Sequence, residues 1–319
     1  MSDPGIEGGP SVAIIIPCFN EAAVIGAVIA ECRQCLPGAV IHVFDNNSND
    51  ATAEIAAGLG ARVMDVRLRG KGNVVRRMFA DVEADVYVMV DGDSTYDLRD
   101  VSAMVRRLWL EQLDMVVGTR LPQLDTGEVY RAGHQWGNRL LSGTVSVIFG
   151  SEFHDMLSGL RVFSRRYVKS FPAGAHGFET ETELTVHALE LRMPYAEHPV
   201  PYRARPEGSH SKLSTYSDGL RILVTIFKLV VNERPLASFA NLAGLLVLIS
   251  FGLALPVVID YMQTGLVPRM PTAVLATGVM LTGLLSLVCG AILHVVTLGR
   301  QESKRLSYLS IPAPGNRRD

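Results

Sequence analysis

The chain has 319 residues, 30 of them basic and 32 acidic, for a net charge of −2. That near-balance excludes the basic footprint of a nucleic-acid-binding protein, and the length allows one large domain or two modest ones. Four cysteines (Cys18, Cys32, Cys35, Cys289) are too few and too scattered for a disulfide framework or a zinc site. Reduced, structural thiols in a cytosolic domain are expected.

Met1–Ser11 is rich in Gly and Pro and lacks the basic and apolar regions of a signal peptide, so a disordered lead-in is expected. Val12–Ile16 reads as a buried strand, followed by Pro17-Cys-Phe-Asn-Glu-Ala22 and a helix from Ala22 to Cys35 that Leu36-Pro-Gly38 stops. Val40–Phe44 is a second buried run. It ends in Asp45-Asn-Asn-Ser-Asn-Asp-Ala-Thr52, a polar turn able to cap a helix over Ala53–Gly58. Arg62–Val66 makes a short strand, Gly70-Lys-Gly-Asn73 opens a helix running to Val82, and Val86–Val90 is a further strand. Alternation at this spacing predicts a parallel, doubly wound α/β sheet.

Val86–Val90 runs directly into Asp91-Gly92-Asp93. Ligands of open α/β sheets gather outside the carboxyl ends of strands, and two hard carboxylate ligands on a turn suit Mg²⁺ or Mn²⁺ shared with substrate phosphates. Gly70-Lys71-Gly72 lacks the Walker A spacing; Lys71 at a helix N-terminus either binds a diphosphate or is simply solvated. Met115–Gly118 is a strand leading to Thr119-Arg120, and His134–Phe149 is a mostly apolar helix carrying Arg139 and Ser142. Phe178-Glu-Thr-Glu-Thr-Glu183 leads into a helix over Leu184–Leu191, and Tyr202–Leu213 is a basic loop holding Arg205 and Lys212. Six of the eight histidines lie between His134 and His210 without metal-ligating spacing, and read as surface or packing residues.

The apolar mass is concentrated after Pro235. Tyr216–Val231 is amphipathic and suits a helix lying in a membrane interface. Pro235–Ile259 and Thr272–Leu298 contain no Lys, Arg, Asp or Glu, and each exceeds the roughly 20 residues that span a bilayer. Lys228 and Arg234 precede the first run, and Arg300, Lys304 and Arg305 follow the second, which puts both ends of a hairpin in the cytoplasm. The expected division is a lead at 1–11, a catalytic domain at 12–213, an interfacial amphipathic helix at 214–234, a transmembrane hairpin at 235–299 with helices near 235–260 and 272–298, and a cytoplasmic tail at 300–319.

Ile16-Pro-Cys-Phe-Asn-Glu21, Asp45-Asn-Asn-Ser-Asn-Asp-Ala-Thr52, Gly70-Lys-Gly72 and Asp91-Gly-Asp93 stand in a recognisable order. Gly118-Thr-Arg120, Asn138-Arg139 with Ser142, Ser158-Gly-Leu-Arg161, and Arg205 with Ser211-Lys-Leu213 continue it. Over Val12–Leu213 the chain resembles a family 2 glycosyltransferase of the GT-A fold, a Rossmann-like, mostly parallel α/β sheet. More narrowly it is similar to the polyprenyl-phosphate sugar transferases, among them dolichol-phosphate mannose synthase and bacterial polyprenyl-phosphate glucosyltransferases. The resemblance implies a metal, Mg²⁺ or Mn²⁺, on Asp91 and Asp93. It implies a nucleotide-sugar site built from Pro17, Asn20, Glu21, Asp45, Lys71 and Asp91, and an acceptor-phosphate site built from Arg120, Arg139, Ser142, Arg205 and Lys212. The implied partners are a UDP- or GDP-linked sugar, an undecaprenyl or dolichyl phosphate, the lipid bilayer of the inner membrane and other copies of the chain, a tetramer being one form. Asn46, Thr95 and the inserted Ser209-His210 depart from the family pattern and leave the sugar and the base open.

A phosphate monoester has a second pKa of about 6 and needs no catalytic base. A sugar hydroxyl would need one, and Asp155, Glu181 and Glu183 are the candidates, the latter two reading more readily as helix-capping, solvent-facing charges. The rival enzyme is a polysaccharide-elongating transferase with a saccharide acceptor, but the Q-x-x-R-W motif of such synthases is missing. A non-catalytic membrane scaffold on this fold is the rival from another class, and intact Asp91 and Asp93 argue against it.

Overall fold

Two unbroken apolar runs, β1 (Val12–Cys18) and β4 (Val86–Met89), pair in parallel at the centre of a seven-stranded sheet. The computed structural model describes residues 9–122, 143–146, 149–150, 153–174, 180–203, 224 and 227–315. Outward from β1 lie β2 (Val40–Asp45) and β3 (Arg62–Asp65), both parallel to their neighbours. On the other side, β6 (Arg161–Ser164) runs antiparallel to both β4 and β5 (Met115–Pro122), and β7 (Tyr195–Tyr202) closes the edge parallel to β5. The order is β3-β2-β1-β4-β6-β5-β7.

The central strands are apolar at every position because helices cover both faces. Ile14, Ile16, Val88 and Val90 pack with Ile25, Val28 and Ile29 of α1 (Ile25–Cys35) and with Met104 and Leu108 of α4 (Val101–Leu110). On the opposite face Phe163 meets Phe79 of α3 (Lys71–Asp81) edge-on at 5.6 Å, and stacks on Tyr167 of α5 (Arg165–Ser170) at 4.6 Å. The remaining short helix, α2 (Thr52–Gly58), links β2 to β3. The chain winds one way from β1 and the other way from β4, so the sheet reverses between these neighbours. That reversal opens a crevice at their carboxyl ends.

The helix α6 (Thr180–Glu190) starts four residues before the expected Leu184, and in its first turn Thr180, Glu181 and Thr182 are buried while Glu183 is half-buried. Its His187 is also buried, with Nε2 3.0 Å from Ser170 Oγ and the rings of Tyr167 and Phe171 edge-on against it. Burial, aided by the charge of Lys304, pushes this imidazole down to about 3, whereas in the unfolded chain it titrates near 6.5. Between those values only the unfolded state binds the proton. The contribution to stability is therefore complete above about pH 6.5 and falls on acidification by up to about 1.4 kcal/mol per pH unit. Thermal unfolding of the detergent-solubilised protein should show a midpoint dropping between pH 7 and 5, with a shallower drop in His187→Gln. An unchanged slope in that variant would remove His187 as the cause.

The chain divides into two compact units, Met1–Ile222 with Ser303–Asp319, and Leu223–Glu302. The second unit holds α7 (Pro235–Thr264) and most of α8 (Met270–Leu309), both long and apolar enough to cross a membrane. Their contact follows a seven-residue spacing: Ala243, Ser250 and Val257 on α7 are buried, as are Ala276, Gly283, Gly290 and Thr297 on α8. A Cβ at Gly290 would lie 2.7 Å from Phe239 Cβ, so close approach requires glycine there. Ser250 Oγ donates to Ala276 O at 2.8 Å across the pair. Of the expected interfacial helix at 214–234, residues 214–223, 225 and 226 lie outside the described residues, and 224 and 227–233 are helical.

The end of α8 belongs to the first unit. Tyr308 donates its hydroxyl to Asp114 at 2.8 Å, and the Arg166 guanidinium lies 4.7 Å over the Tyr308 ring. Lys304 Nζ is 2.5 Å from Glu190. Asp114 is fully buried, held also by Arg166 and Ser164. Residues 303–309 are thus part of the sheet domain's packing. A hydrogen bond to a charged group contributes about 1.5–3 kcal/mol, so Tyr308→Phe should lower the unfolding midpoint of this unit by several degrees. A variant melting with the wild type would show the contact to be dispensable.

Candidate functional site

The carboxyl ends of β1, β2 and β4 carry the polar residues of the crevice. The β1 turn is latched to the β2 turn: Asn20, at φ 54°, donates its backbone N–H to Ser48 Oγ (2.9 Å), and its side-chain oxygen accepts from Asn49 N (2.8 Å). The Glu21 amide donates to Thr52 Oγ1 at 2.9 Å. Asp45 ends β2, buried, with Oδ2 accepting from Ser48 N at 3.0 Å while Oδ1 has no hydrogen-bond partner. A buried carboxylate oxygen left open is costly unless a ligand donates to it, which fits the N–H of a nucleobase. Pro17 lies beside this turn at the end of β1, its carbonyl facing Gly92.

Asn46 explains one departure from the family pattern. Its amide donates to Val66 O (2.9 Å) and Leu68 O (2.7 Å) and accepts from Gly70 N (2.8 Å). A carboxylate could not donate the first two. Asn46 therefore ties β2 to the turn that launches α3. Gly70 sits at φ 121°, outside the range of side-chain-bearing residues, and delivers Lys71 as the first residue of that helix.

Asp91 and Asp93 follow β4. Gly92 between them packs on the end of β1, where a Cβ would stand 2.8 Å from Cys18 Sγ. Asp93 Oδ1 accepts from Thr95 N (3.2 Å) and Thr95 Oγ1 (2.7 Å), so Thr95 orients the second carboxylate from behind. Asp91 is held on both sides: Oδ1 is 2.6 Å from Lys71 Nζ, and Oδ2 lies over Gly159, where a Cβ would be 1.9 Å away. Gly159 is fixed by its N–H donating to the buried Tyr96 hydroxyl at 2.9 Å, and Ser158 Oγ donates to Gly118 O at 2.5 Å. Beneath this loop the fully buried Arg161 donates to Ser158 O (2.9 Å), Met156 O (2.6 Å) and Thr185 Oγ1 (2.9 Å). In the Ser158–Arg161 block, then, glycine makes room for Asp91 and arginine builds the floor.

Lys71 is shared. Its ammonium is also 2.6 Å from Glu181 Oε1, on the first turn of α6, and Glu181 Oε2 is buried without a partner. Burial works against the charge on Lys71, but Asp91 and Glu181 outweigh it and hold the pKa above the ordinary lysine value. Glu181 was expected to face solvent; it is buried beside the aspartates instead. Glu183 accepts from Gly174 N at 2.8 Å.

On the β5 side, Arg120 grips Asp155 with two parallel bonds, Nε and Nη2 each 2.7 Å from a carboxylate oxygen, and its guanidinium lies 5.6 Å from the Tyr202 ring centre. Burial pushes the Asp155 carboxyl up, but the hydrogen bonds and charge of Arg120 outweigh it and hold it below the usual carboxylate range. Asp155 is therefore a poor proton acceptor at neutral pH, contrary to its candidacy as a base. The buried Tyr96 hydroxyl accepts from Gly159 N while its ring meets Tyr202 edge-on at 5.2 Å, the same ring that Arg120 lies over, which links the Asp91 and Arg120 sides of the crevice. Arg139, Ser142, Arg205 and Lys212 lie outside the described residues.

The donor set suits a hard divalent cation. Asp91 and Asp93 offer oxygens, an ammonium already stands against Asp91 as a cation in its place, and no group of three or more metal-ligating side chains gathers among the described residues. A metal held by two carboxylates would take its remaining ligands from phosphate and water.

Comparison with known proteins agrees with this geometry. The model of "Glycosyl transferase family 2" matches residues 13–171. Glycosyltransferase AglJ of Haloferax volcanii is 31% identical over 302 residues, 94% of this chain and 98% of that protein. The chain belongs to glycosyl transferase family 2. A second Haloferax volcanii member, a dolichyl-phosphate hexose transferase, is 27% identical over 223 residues, 70% of this chain and 95% of that protein. Among solved structures, Mycobacterium tuberculosis glucosyl-3-phosphoglycerate synthase, crystallised with Mn²⁺, UDP-glucose and phosphoglyceric acid, superposes with a TM-score of 0.57 at 24% identity. The match covers 70% of this chain and 80% of that one. The family 2 chain thus has the GT-A fold, with its Asp-Gly-Asp turn at the sheet's reversal point.

Proposed function

We propose that this glycosyltransferase moves a hexose from a nucleotide diphosphate sugar to a polyprenyl phosphate, releasing the nucleoside diphosphate. The observation that carries the reading is the Arg120–Asp155 pair. The carboxylate beside the acceptor-side arginine is committed to holding that arginine, so Asp155 fixes the guanidinium in place and is not free to serve as a general base. An acceptor that arrives already ionised, a phosphate monoester, suits such a site; a neutral hydroxyl does not.

Asp45 receives the base through its open oxygen, and Asn20 and Glu21 hold the turns around the nucleoside. Asp91 and Asp93 hold Mg²⁺ or Mn²⁺, which when bound neutralises charge on the leaving diphosphate. Lys71 at the N-terminus of α3 faces the same diphosphate. Arg120, together with Arg139, Ser142, Arg205 and Lys212, grips the acceptor phosphate for in-line attack on the anomeric carbon, with inversion. In this reading α7 and α8 cross the inner membrane as a hairpin with both ends cytoplasmic, where a long-chain lipid offers its phosphate at headgroup level. The dolichyl-phosphate activity named for the Haloferax relative supports the acceptor class, and association into a tetramer belongs to the same proposal.

The test is extraction of lipid after incubating detergent-solubilised protein with polyprenyl phosphate, Mg²⁺ or Mn²⁺ and labelled UDP- and GDP-sugars. Label entering the organic phase, lost with EDTA and in Asp93→Ala, is expected. Transfer to a saccharide, with none to lipid, would overturn the acceptor assignment.

A further inference from the structure

Three elements bring Lys71, Asp91 and Glu181 to one point. Lys71 begins α3, Asp91 follows β4, and Glu181 lies on the first turn of α6. The ammonium is 2.6 Å from each carboxylate, and the Lys71 and Glu181 side chains are only 15% and 7% exposed. Nothing in the donor reading requires Glu181. Yet it is buried, competes with Asp91 for the same lysine, and keeps a second oxygen, Oε2, without a partner.

We propose that Lys71 is the resident counter-cation of Asp91, that metal and donor diphosphate displace it together, and that Glu181 is the positioning residue that receives it. This rests on the metal-dependent donor reading above. A divalent ion arriving alone meets an Asp91 oxygen already neutralised and an ammonium in the position it would occupy; at these separations like charges repel strongly. A diphosphate reverses the balance. It supplies further oxygen ligands to the metal and a new anion for the lysine. As Lys71 leaves Asp91, Glu181 can take a second ammonium N–H on its open Oε2, so the lysine stays paired throughout. Metal and nucleotide binding are then strongly coupled, and empty sites hold little metal.

The measurement is Mn²⁺ binding to the full-length protein in detergent, read from the EPR signal of free Mn²⁺, with and without UDP or GDP. In the wild type a nucleotide should tighten Mn²⁺ binding by about tenfold or more. Lys71→Met keeps the stem and removes the charge. It should bind Mn²⁺ alone about tenfold more tightly than the wild type, with the nucleotide effect reduced to what the diphosphate oxygens contribute as metal ligands. Glu181→Gln leaves Lys71 to Asp91 alone, so Mn²⁺ alone should bind more weakly than in the wild type. The opposite signs separate this role from general damage to the site, which would weaken both variants. Weakening in both, or a Lys71→Met that binds Mn²⁺ no more tightly, overturns the proposal while leaving the donor reading intact. Absence of Mn²⁺ binding in the wild type with either nucleotide overturns both.

Discussion

Gly159→Ala is expected to abolish transfer while leaving the fold intact. The added methyl would stand 1.9 Å from Asp91 Oδ2 and 2.6 Å from its Cγ, so the two cannot coexist. What gives way is the tip of a short side chain, not backbone, and the φ of Gly159 is one that alanine adopts. The carboxylate therefore rotates out of place and Lys71 loses one of its two partners. Misplacing a reacting group by about 1 Å costs on the order of 10²-fold in rate, and a lost metal ligand adds to that. A fall in kcat/KM of at least about 10²-fold is expected, with the thermal midpoint moved by less than the several degrees that about 1 kcal/mol produces. Wild-type turnover in a Gly159→Ala protein would show that Asp91 does not act from the position seen here.

Asp155→Asn is expected to separate the acceptor side from the donor side. The substitution keeps the shape of the residue and removes the charge that holds Arg120 with two parallel bonds. An amide can accept only on its oxygen, so one of the two bonds becomes a clash of donors and the guanidinium loses its fixed plane. Breaking a buried pair costs about 3–5 kcal/mol; with Arg120 at 18% exposure, water recovers part of that here. Transfer to polyprenyl phosphate should fall by about 10²-fold, mainly as a higher KM for the acceptor. UDP and Mn²⁺ binding should be unchanged. If donor binding falls in parallel, Asp155 supports the whole crevice and not Arg120 in particular.

The parts of the fold most legible in the sequence are those where burial acts on both faces of a segment. The runs around Ile14 and Val88 are apolar throughout because their middle residues are buried from both faces, and both are seen as adjacent central strands; the run around Val43 is buried from Ile41 to Phe44 and forms the next strand out. Strand β7 was not legible. It contains Glu197, His198, Pro199 and Pro201, which break the apolar pattern of a buried strand. Proline is tolerated there because β7 is the sheet edge, where an absent N–H breaks no second ladder. The early start of α6 was hidden for a related reason: Thr180–Glu183 is polar, and nothing local indicates that Thr180, Glu181 and Thr182 enter the interior.

The sequence by itself determined the order of the crevice-forming turns, the carboxylate pair after β4 and the two long apolar segments. Each of these depends only on residues adjacent along the chain, whose periodicity and turn chemistry are local properties. Tertiary structure alone decided which residues serve those groups. Glu181 stands 90 residues from Asp91 and meets it through Lys71; Asp155 reaches Arg120 across 35 residues; Gly159 is required because Asp91 folds over it. Such partnerships carry no periodic signal. They arise where separate strands deliver their carboxyl ends to the same edge, and a buried charge there has to find its counter-charge from whatever element the fold has placed beside it.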